Sequence, residues 1–346
     1  MALKRKSRSA SQLRAGDWVE VRSEEDVLRS LRSDGTLEKM PFMPEMLKYC
    51  GQRFRISAVA HKTCDPAHRT GGRKLDNAVH LEGLRCDGAS HGGCQAACLL
   101  FWKTDWLRPI GAADDPRVPA AAMQGLSRPE LNRATTKAGA GEHPRYACQA
   151  TQLFEATRLL HWWDVRQYVR DLTTGNVTLA HMLRVLLLSW VAALIRTGIG
   201  YRVTTAVYDR LHRFLMRYPA PKIGGAIRLG QATPREDLQL LPNEVVRIKS
   251  NAEILSTLNE SGKNRGMWFD EEMAPYCGGT YRVAQRVEKI INEVTGEMME
   301  MKSPCITLEG VVCKSVYSRW RLFCPRAITP YWREVWLERI DRRGDE

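Results

Sequence analysis

Apolar and polar residues alternate in two short runs far apart in the chain, Trp18-Val19-Glu20-Val21 and Val245-Val246-Arg247-Ile248. A period of two predicts a strand in each. Behind each strand stands a serine, Ser23 or Ser250, with Asp26 or Glu253 three residues on, the spacing of a capped helix start. Val27, Leu28 and Leu31, matched by Ile254, Leu255 and Leu258, give that helix one apolar face, and Gly35 and Gly262 suit the turn that ends it. Further strands are expected at Phe54-Arg55-Ile56 and at Val79 to Arg85, paired as an antiparallel hairpin. Their counterparts are Tyr281-Arg282-Val283 and Ile306 to Val312. Each half closes on two tryptophans, Trp102 and Trp106 or Trp332 and Trp336, expected to cover a small sheet.

These matches follow one rule. Glu45 to Gly51 returns as Glu272 to Gly278, and Cys50 recurs as Cys277, 227 residues on. The same spacing, without a gap from Val19 to Cys86, pairs Phe42 with Phe269, Arg55 with Arg282, Leu81-Glu82-Gly83 with Leu308-Glu309-Gly310, and Cys86 with Cys313. Three residues of extra loop later Cys94 meets Cys324. The chain reads as a duplicated module. The expected class is α+β: two mainly β, SH3-like barrel modules, residues 16–110 and 243–341, held apart by a linker and a helical middle segment. The Pro44 to Gly51 stretch resembles the proline-tyrosine-glycine turn in the barrel of nitrile hydratase beta subunits and related electron-transfer accessory proteins. That resemblance spans less than half of each module and bears on fold.

Between the modules, residues 111–145 are rich in Ala, Pro, Gly and Arg and read as a flexible linker. Helical periodicity over 146–218 predicts one helix from Phe154 through Val169, a second from Leu179 to Arg196 and a further piece carrying Val203, Val207, Leu211 and Leu215. Residues 219–242 read as a second linker and 1–15 as a basic disordered tail. Leu179 to Arg196 is apolar on too many sides for a helix with one wet face, so docking onto the modules is expected. The alternative is peripheral contact with a membrane interface, arginines snorkelling. The longest apolar run, Val185 to Ile195, is interrupted by Ser189, bounded by Arg184 and Arg196, and short of the roughly 20 residues that span a bilayer, so integral insertion is not expected.

Composition adds a direction. A net charge of +13, from 52 Lys and Arg against 39 acids, favours anionic macromolecular partners, nucleic acid among them. Trp162-Trp163-Asp164 with Arg166 and Arg170 offers stacking and cationic groups, though helix packing explains them too. No apolar run follows Arg8 to suggest export, and ten cysteines then point to a reducing, cytoplasmic setting where grouped thiols bind metals.

The cysteines carry the main chemical expectation. Cys50, Cys86 and Cys94 recur as Cys277, Cys313 and Cys324, and thiolates converging from separate loops build zinc or iron-sulfur centres, typically four at a time. Cys98 completes the first set and Cys305 the second, with Cys64 and His91 as alternates. Cys148 has no partner in view and reads as structural. Buried, inert thiols are the competing explanation. His61, His68, His80 and His91 crowd the first module alone, so any additional function belongs there. The recurring Glu45 and Glu272, and Glu82 and Glu309, read as partners of an arginine or of a backbone turn before they read as general bases. No phosphate loop, HExxH, nucleophile elbow or dinucleotide fingerprint is present. The leading expectation is a non-catalytic metal-binding accessory protein. A redox protein working through Cys64, Cys94 or Cys98, and a nucleic-acid-binding protein, are the alternatives.

Overall fold

A computed structural model describes residues 13–110, 125–137, 144–198, 200–318 and 320–340. Most of the basic tail, at residues 1–12, and much of the first linker, at 111–124 and 138–143, lie outside the described residues. The fold is α+β, and the chain divides into two compact units. The first comprises the chain through Thr178 together with Lys289–Glu300 and Trp320–Arg326; the second comprises Leu179–Glu288, Met301–Arg319 and the chain from Ala327 on.

In the first unit a five-stranded sheet runs in the order Trp102–Lys103, Ala78–Leu81, Arg53–Val59, Trp18–Val21, Leu107–Pro109. In the second, a four-stranded sheet runs Met298–Leu308, Thr280–Ile291, Val245–Ile248, Leu337–Arg339. The central pairing has one register in both: Trp18 faces Arg55 and Val19 faces Phe54, while Val245 faces Arg282 and Val246 faces Tyr281, each antiparallel. Helix α1 (Glu24–Ser30) begins where Ser23 Oγ accepts from the Asp26 amide at 3.2 Å. In its counterpart, Asn251–Ser256, the Glu253 carboxylate accepts from the Ser250 amide at 2.8 Å.

The two cores repeat as well. Phe42 meets Trp102 and Trp106 edge-on at 6.1 and 5.0 Å, and Phe269 meets Trp332 and Trp336 edge-on at 6.3 and 5.6 Å. All six rings are buried. Edge-to-face contact sets the positive ring edge on the negative face, a gain beyond burial alone.

Where expectation and structure part, local chemistry gives the reason. The strand expected to reach Arg85 stops at Leu81, because the chain turns at Gly83 with φ +74°, a left-handed conformation that suits glycine. Gly310, at φ +71°, ends the counterpart in the same way. The single helix expected from Phe154 to Val169 is two helices, α3 (Gln149–Ala156) and α4 (Arg166–Thr173). Thr157 turns its hydroxyl back on the Leu153 carbonyl at 2.5 Å, and Arg158–Leu159 then pairs as a strand with Arg73 and Lys74. A threonine bonding its own backbone competes with helix propagation. Within the first linker, helix α2 (Arg128–Ala134) forms, its start boxed by Ser127 and Glu130. Helices α5 (Leu179–Arg196) and α6 (Tyr201–Met216) pack against each other in the second unit.

The segment between the hairpin strands is where the halves differ most. In the first unit Lys62–Asp65 and Gly71–Lys74 form a separate hairpin. The matching strands instead continue, as Thr280–Ile291 and Met298–Leu308, and their far ends fall within Lys289–Glu300, which belongs to the first unit.

Candidate metal centre

The site is built by two turns. Pro44 opens a tight helical turn, Pro44–Tyr49, suited to a residue with no amide hydrogen to donate, and this turn carries Glu45 into the buried interior. Beyond Gly83, the Cys86 amide donates to the Cys98 carbonyl at 2.8 Å and closes the loop between them. Inside that loop the His91 and Gly93 amides both donate to the Gly88 carbonyl, at 3.1 and 2.9 Å, folding Ser90-His91 back over Cys86. Gly88 has φ +72°, and a Cβ there would lie 2.1 Å from the Cys94 carbonyl oxygen, so only glycine fits this crossing.

Three donors of different chemistry converge as a result. Cys86 Sγ lies 3.3 Å from His91 Nε2 and 3.4 Å from Glu45 Oε1, and His91 Nδ1 lies 3.7 Å from the same Glu45 oxygen. Ser90 Oγ hydrogen-bonds Glu45 and sits 3.1 Å from His91 Nδ1. Among the described residues this is the one group of three cysteine, histidine or carboxylate ligands whose donor atoms all lie within 4.8 Å of one another. A tetrahedral zinc with bonds of about 2.0–2.3 Å holds its ligands about 3.3–3.8 Å apart; the Cys86–His91 Nε2 and Cys86–Glu45 separations match that spacing, while the 3.7 Å contact of Glu45 is to the other ring nitrogen, Nδ1, which one ion cannot share with Nε2.

Three further thiols face the same space. Cys86, His91, Cys94, Cys98, Cys148 and Glu293 line a cavity of about 30 Å³. Cys148 comes from the N-cap of α3, and Ile291 reaches in far enough for its amide to donate to Cys94 Sγ at 3.4 Å. Burial pushes the Cys98 thiol up to about 12 and Cys148 to about 11, and burial with the Glu45 charge raises Cys86. Burial also lowers His91, against the opposing pull of Glu45. Burial thus favours the neutral forms of Cys86, Cys98, Cys148 and His91; a bound divalent cation would reverse that balance because it deprotonates a coordinating thiol outright.

The remaining sequence-derived ligands are distributed differently from expectation. Cys50 is half-buried against the first core, raised to about 11 by burial and by Glu24, and stands apart from the cavity thiols that Glu45 faces. In the second unit Cys277 is raised to about 12 by burial, Cys305 lies 3.4 Å from Arg333 Nη1, and Cys313 Sγ lies 3.5 Å from Ser315 Oγ. The recurring cysteines thus do not assemble in matched threes. Cys324 belongs to the first unit, where its thiol donates a hydrogen bond to Cys64.

That pair is a second concentration of chemistry. The Cys324 hydrogen bond pulls the Cys64 thiol down to about 6 against the opposing effect of burial, with Arg326 and Arg321 adding to the pull. Arg326 Nη1 donates to the Cys64 carbonyl at 3.1 Å, and its Nη2 pairs with Glu293 at 2.7 Å. Lys62 Nζ donates to the Leu322 carbonyl at 2.8 Å and to Asp171 at 2.5 Å, both charges buried. Of the histidines that crowd the first module, His80 is fully buried, bonded to the Leu100 carbonyl at 2.9 Å and lowered to about 4 by burial, a core residue. His61 lies 3.2 Å from Asp171, and His68 3.0 Å from Asp65.

Sequence reasoning read Cys148 as structural and did not single out Glu293. Cys148 begins the helical stretch, and a cysteine at a helix N-terminus is a recognisable signal for thiolate chemistry. Glu293 carries no such signal; only the fold brings it to the cavity. No family model, curated protein or solved structure matches the chain.

Proposed function

We propose that this protein is a zinc-binding accessory protein made of two SH3-like modules, with one metal centre, in the first. The observation that carries the reading is the Glu45–Cys86–His91 group, whose donor atoms all lie within 4.8 Å of one another next to a cavity lined by three more thiols. Cys86 and His91 supply soft and borderline ligands, a pairing that suits zinc, and one of Cys94, Cys98 or Cys148, which line the adjoining cavity, moves in as the fourth when the ion binds. Glu45 is the ligand that exchanges most readily or, if a second thiol takes its place, the partner that orients His91 through Ser90. A site with four protein ligands is closed and structural, so its role is to hold the 86–98 loop in the shape that a partner macromolecule meets. Metal analysis of the full chain, purified anaerobically, tests this. The expected result is about one zinc per chain and a colourless protein. Absence of both zinc and iron overturns the reading, and visible charge-transfer absorption replaces zinc with an iron-sulfur centre.

A second reading rests on the Cys64–Cys324 contact. Here the first unit has a dithiol that a peroxide oxidises. The Cys64 thiolate attacks one peroxide oxygen and becomes a sulfenic acid, releasing hydroxide that takes up a proton as water. Cys324 then attacks that sulfur, its proton and the sulfenic hydroxyl leaving as a second water, and two thiols have become one disulfide. Peptide mapping after peroxide treatment is expected to find Cys64 linked to Cys324 and eight of the ten thiols still free. Ten free thiols, or Cys64 linked elsewhere, would end this reading and leave the metal centre untouched.

A further inference from the structure

Helix α5 has the composition of a core helix and the exposure of a surface one. Its 18 residues have mean hydropathy 1.6, yet only 22% of them are buried. Met182, Val185, Leu188 and Val191 form its buried face. Leu179, Leu183, Leu187, Trp190 and Leu194, spaced by three or four and so on one line along the helix, are exposed, Trp190 by 62%. Helix α6 continues the pattern: Val203, Val207 and Phe214 are exposed, Phe214 by 80%. Contiguous apolar surface of this kind marks a contact site.

The charges say what covers it. Between Leu179 and Tyr218 the chain carries Arg184, Arg196, Arg202, Arg210, Arg213 and Arg217 against a single acid, Asp209. All six arginines are exposed. A second copy of this chain docked face to face would set arginines against arginines. An acidic lipid surface answers both features: the leucines and Trp190 enter the boundary between headgroups and acyl chains, and the arginines meet phosphates. Trp190 and Tyr201, one exposed on each helix, are residue types that settle at that boundary. Spanning fits less well. Eighteen residues rise about 27 Å, short of a hydrocarbon core of about 30 Å, and one face of the helix is already taken by protein.

We infer that the α5–α6 hairpin seats the protein on an anionic membrane surface, lying in the interface without crossing it. This holds whether or not the first unit binds zinc.

Co-sedimentation of the full chain with vesicles tests it, comparing phosphatidylcholine alone with phosphatidylcholine containing phosphatidylglycerol. Binding is expected to the anionic vesicles, weakened by salt and accompanied by a blue shift of tryptophan emission. Leu183→Glu with Leu187→Glu, both at exposed positions, is expected to weaken binding at least about tenfold, with metal content and circular dichroism unchanged. Arg210→Glu with Arg213→Glu is expected to abolish only the preference for anionic lipid. A chain that stays in the supernatant with both vesicle types overturns the inference. So does self-association lost in the Leu183→Glu, Leu187→Glu variant, which would assign the face to a second copy.

Discussion

Glu45 and Glu272 occupy the same place in the two halves and do different things. Glu272 Oε1 accepts from the amides of Val316 and Tyr317, at 2.6 and 2.7 Å, and so clamps the loop that follows the Leu308-Glu309-Gly310 turn. That loop presents Tyr317, whose hydroxyl lies 3.0 Å from His212 Nε2 and 2.5 Å from the Tyr218 hydroxyl, a knot of hydrogen-bonded rings. Glu45 faces a matching loop, but one that presents Ser90 and His91, and it takes side chains where Glu272 takes backbone. A buried carboxylate in this scaffold holds the loop it faces. Whether it also faces a cation is set by what that loop carries.

If the first unit binds zinc as proposed, the widest gap between the halves concerns that ion. Cys86→Ser with His91→Ala is expected to remove the zinc and, with it, thermal stability of the first unit, because closed zinc sites contribute about 10 kcal/mol or more to folding. Cys277→Ser with Cys313→Ser is expected to leave the zinc count unchanged. Metal analysis and calorimetry on both variants decide it, and equal losses would dissolve the comparison.

Truncating the core ring is the complementary experiment, since here the halves should agree. Phe42→Ala and Phe269→Ala each remove a buried ring from an edge-on tryptophan pair, and each is expected to cost about 3–5 kcal/mol by denaturant titration. A cost confined to one half would mean that the second core packs on other terms. Glu272→Ala removes a charged acceptor from two buried amides and is expected to cost about 3 kcal/mol with no effect on zinc. Loss of zinc in that variant would give Glu272 a reach the geometry denies it.

The smallest effect is one of reactivity. Cys64, held near pKa 6, is a thiolate above that pH, whereas Cys277, near 12, stays protonated through the neutral range. Alkylation by a small reagent, followed by peptide mapping, should therefore rise with a midpoint near pH 6 at Cys64 and remain low at Cys277 to well above neutrality. Because the Cys64 value lies below the 9.0 of an ordinary thiol, its contribution to stability is complete above pH 9 and disappears as pH falls through about 6. A midpoint near 9 at Cys64 would mean that Cys324 and Arg326 do not act on it.

Much of the scaffold was legible in the residues. Period-two runs found the central strands, Ser23 and Ser250 marked the helix starts, and the 227-residue recurrence anticipated the common register of Val19 with Phe54 and Val246 with Tyr281. The break after Thr157 was not legible, because it depends on a threonine back-bond and on Arg158 finding a strand partner at Lys74, 84 residues earlier in chain order. The candidate site was half legible: Cys86, Cys94, Cys98 and His91 share one short segment, whereas Cys148 and Glu293 arrive from elsewhere.

By itself the sequence determined the central strands, the helix starts with their caps and the α+β class, since those depend on neighbours a few residues away and on side-chain volume. Which thiols meet was decided by tertiary structure alone. Cys324 matches Cys94 in the repeat yet lies against Cys64, 260 residues away, and Cys50 matches Cys277 yet neither shares a cavity with its kin. Recurrence in sequence copies a local environment, while convergence in space depends on how the loops close.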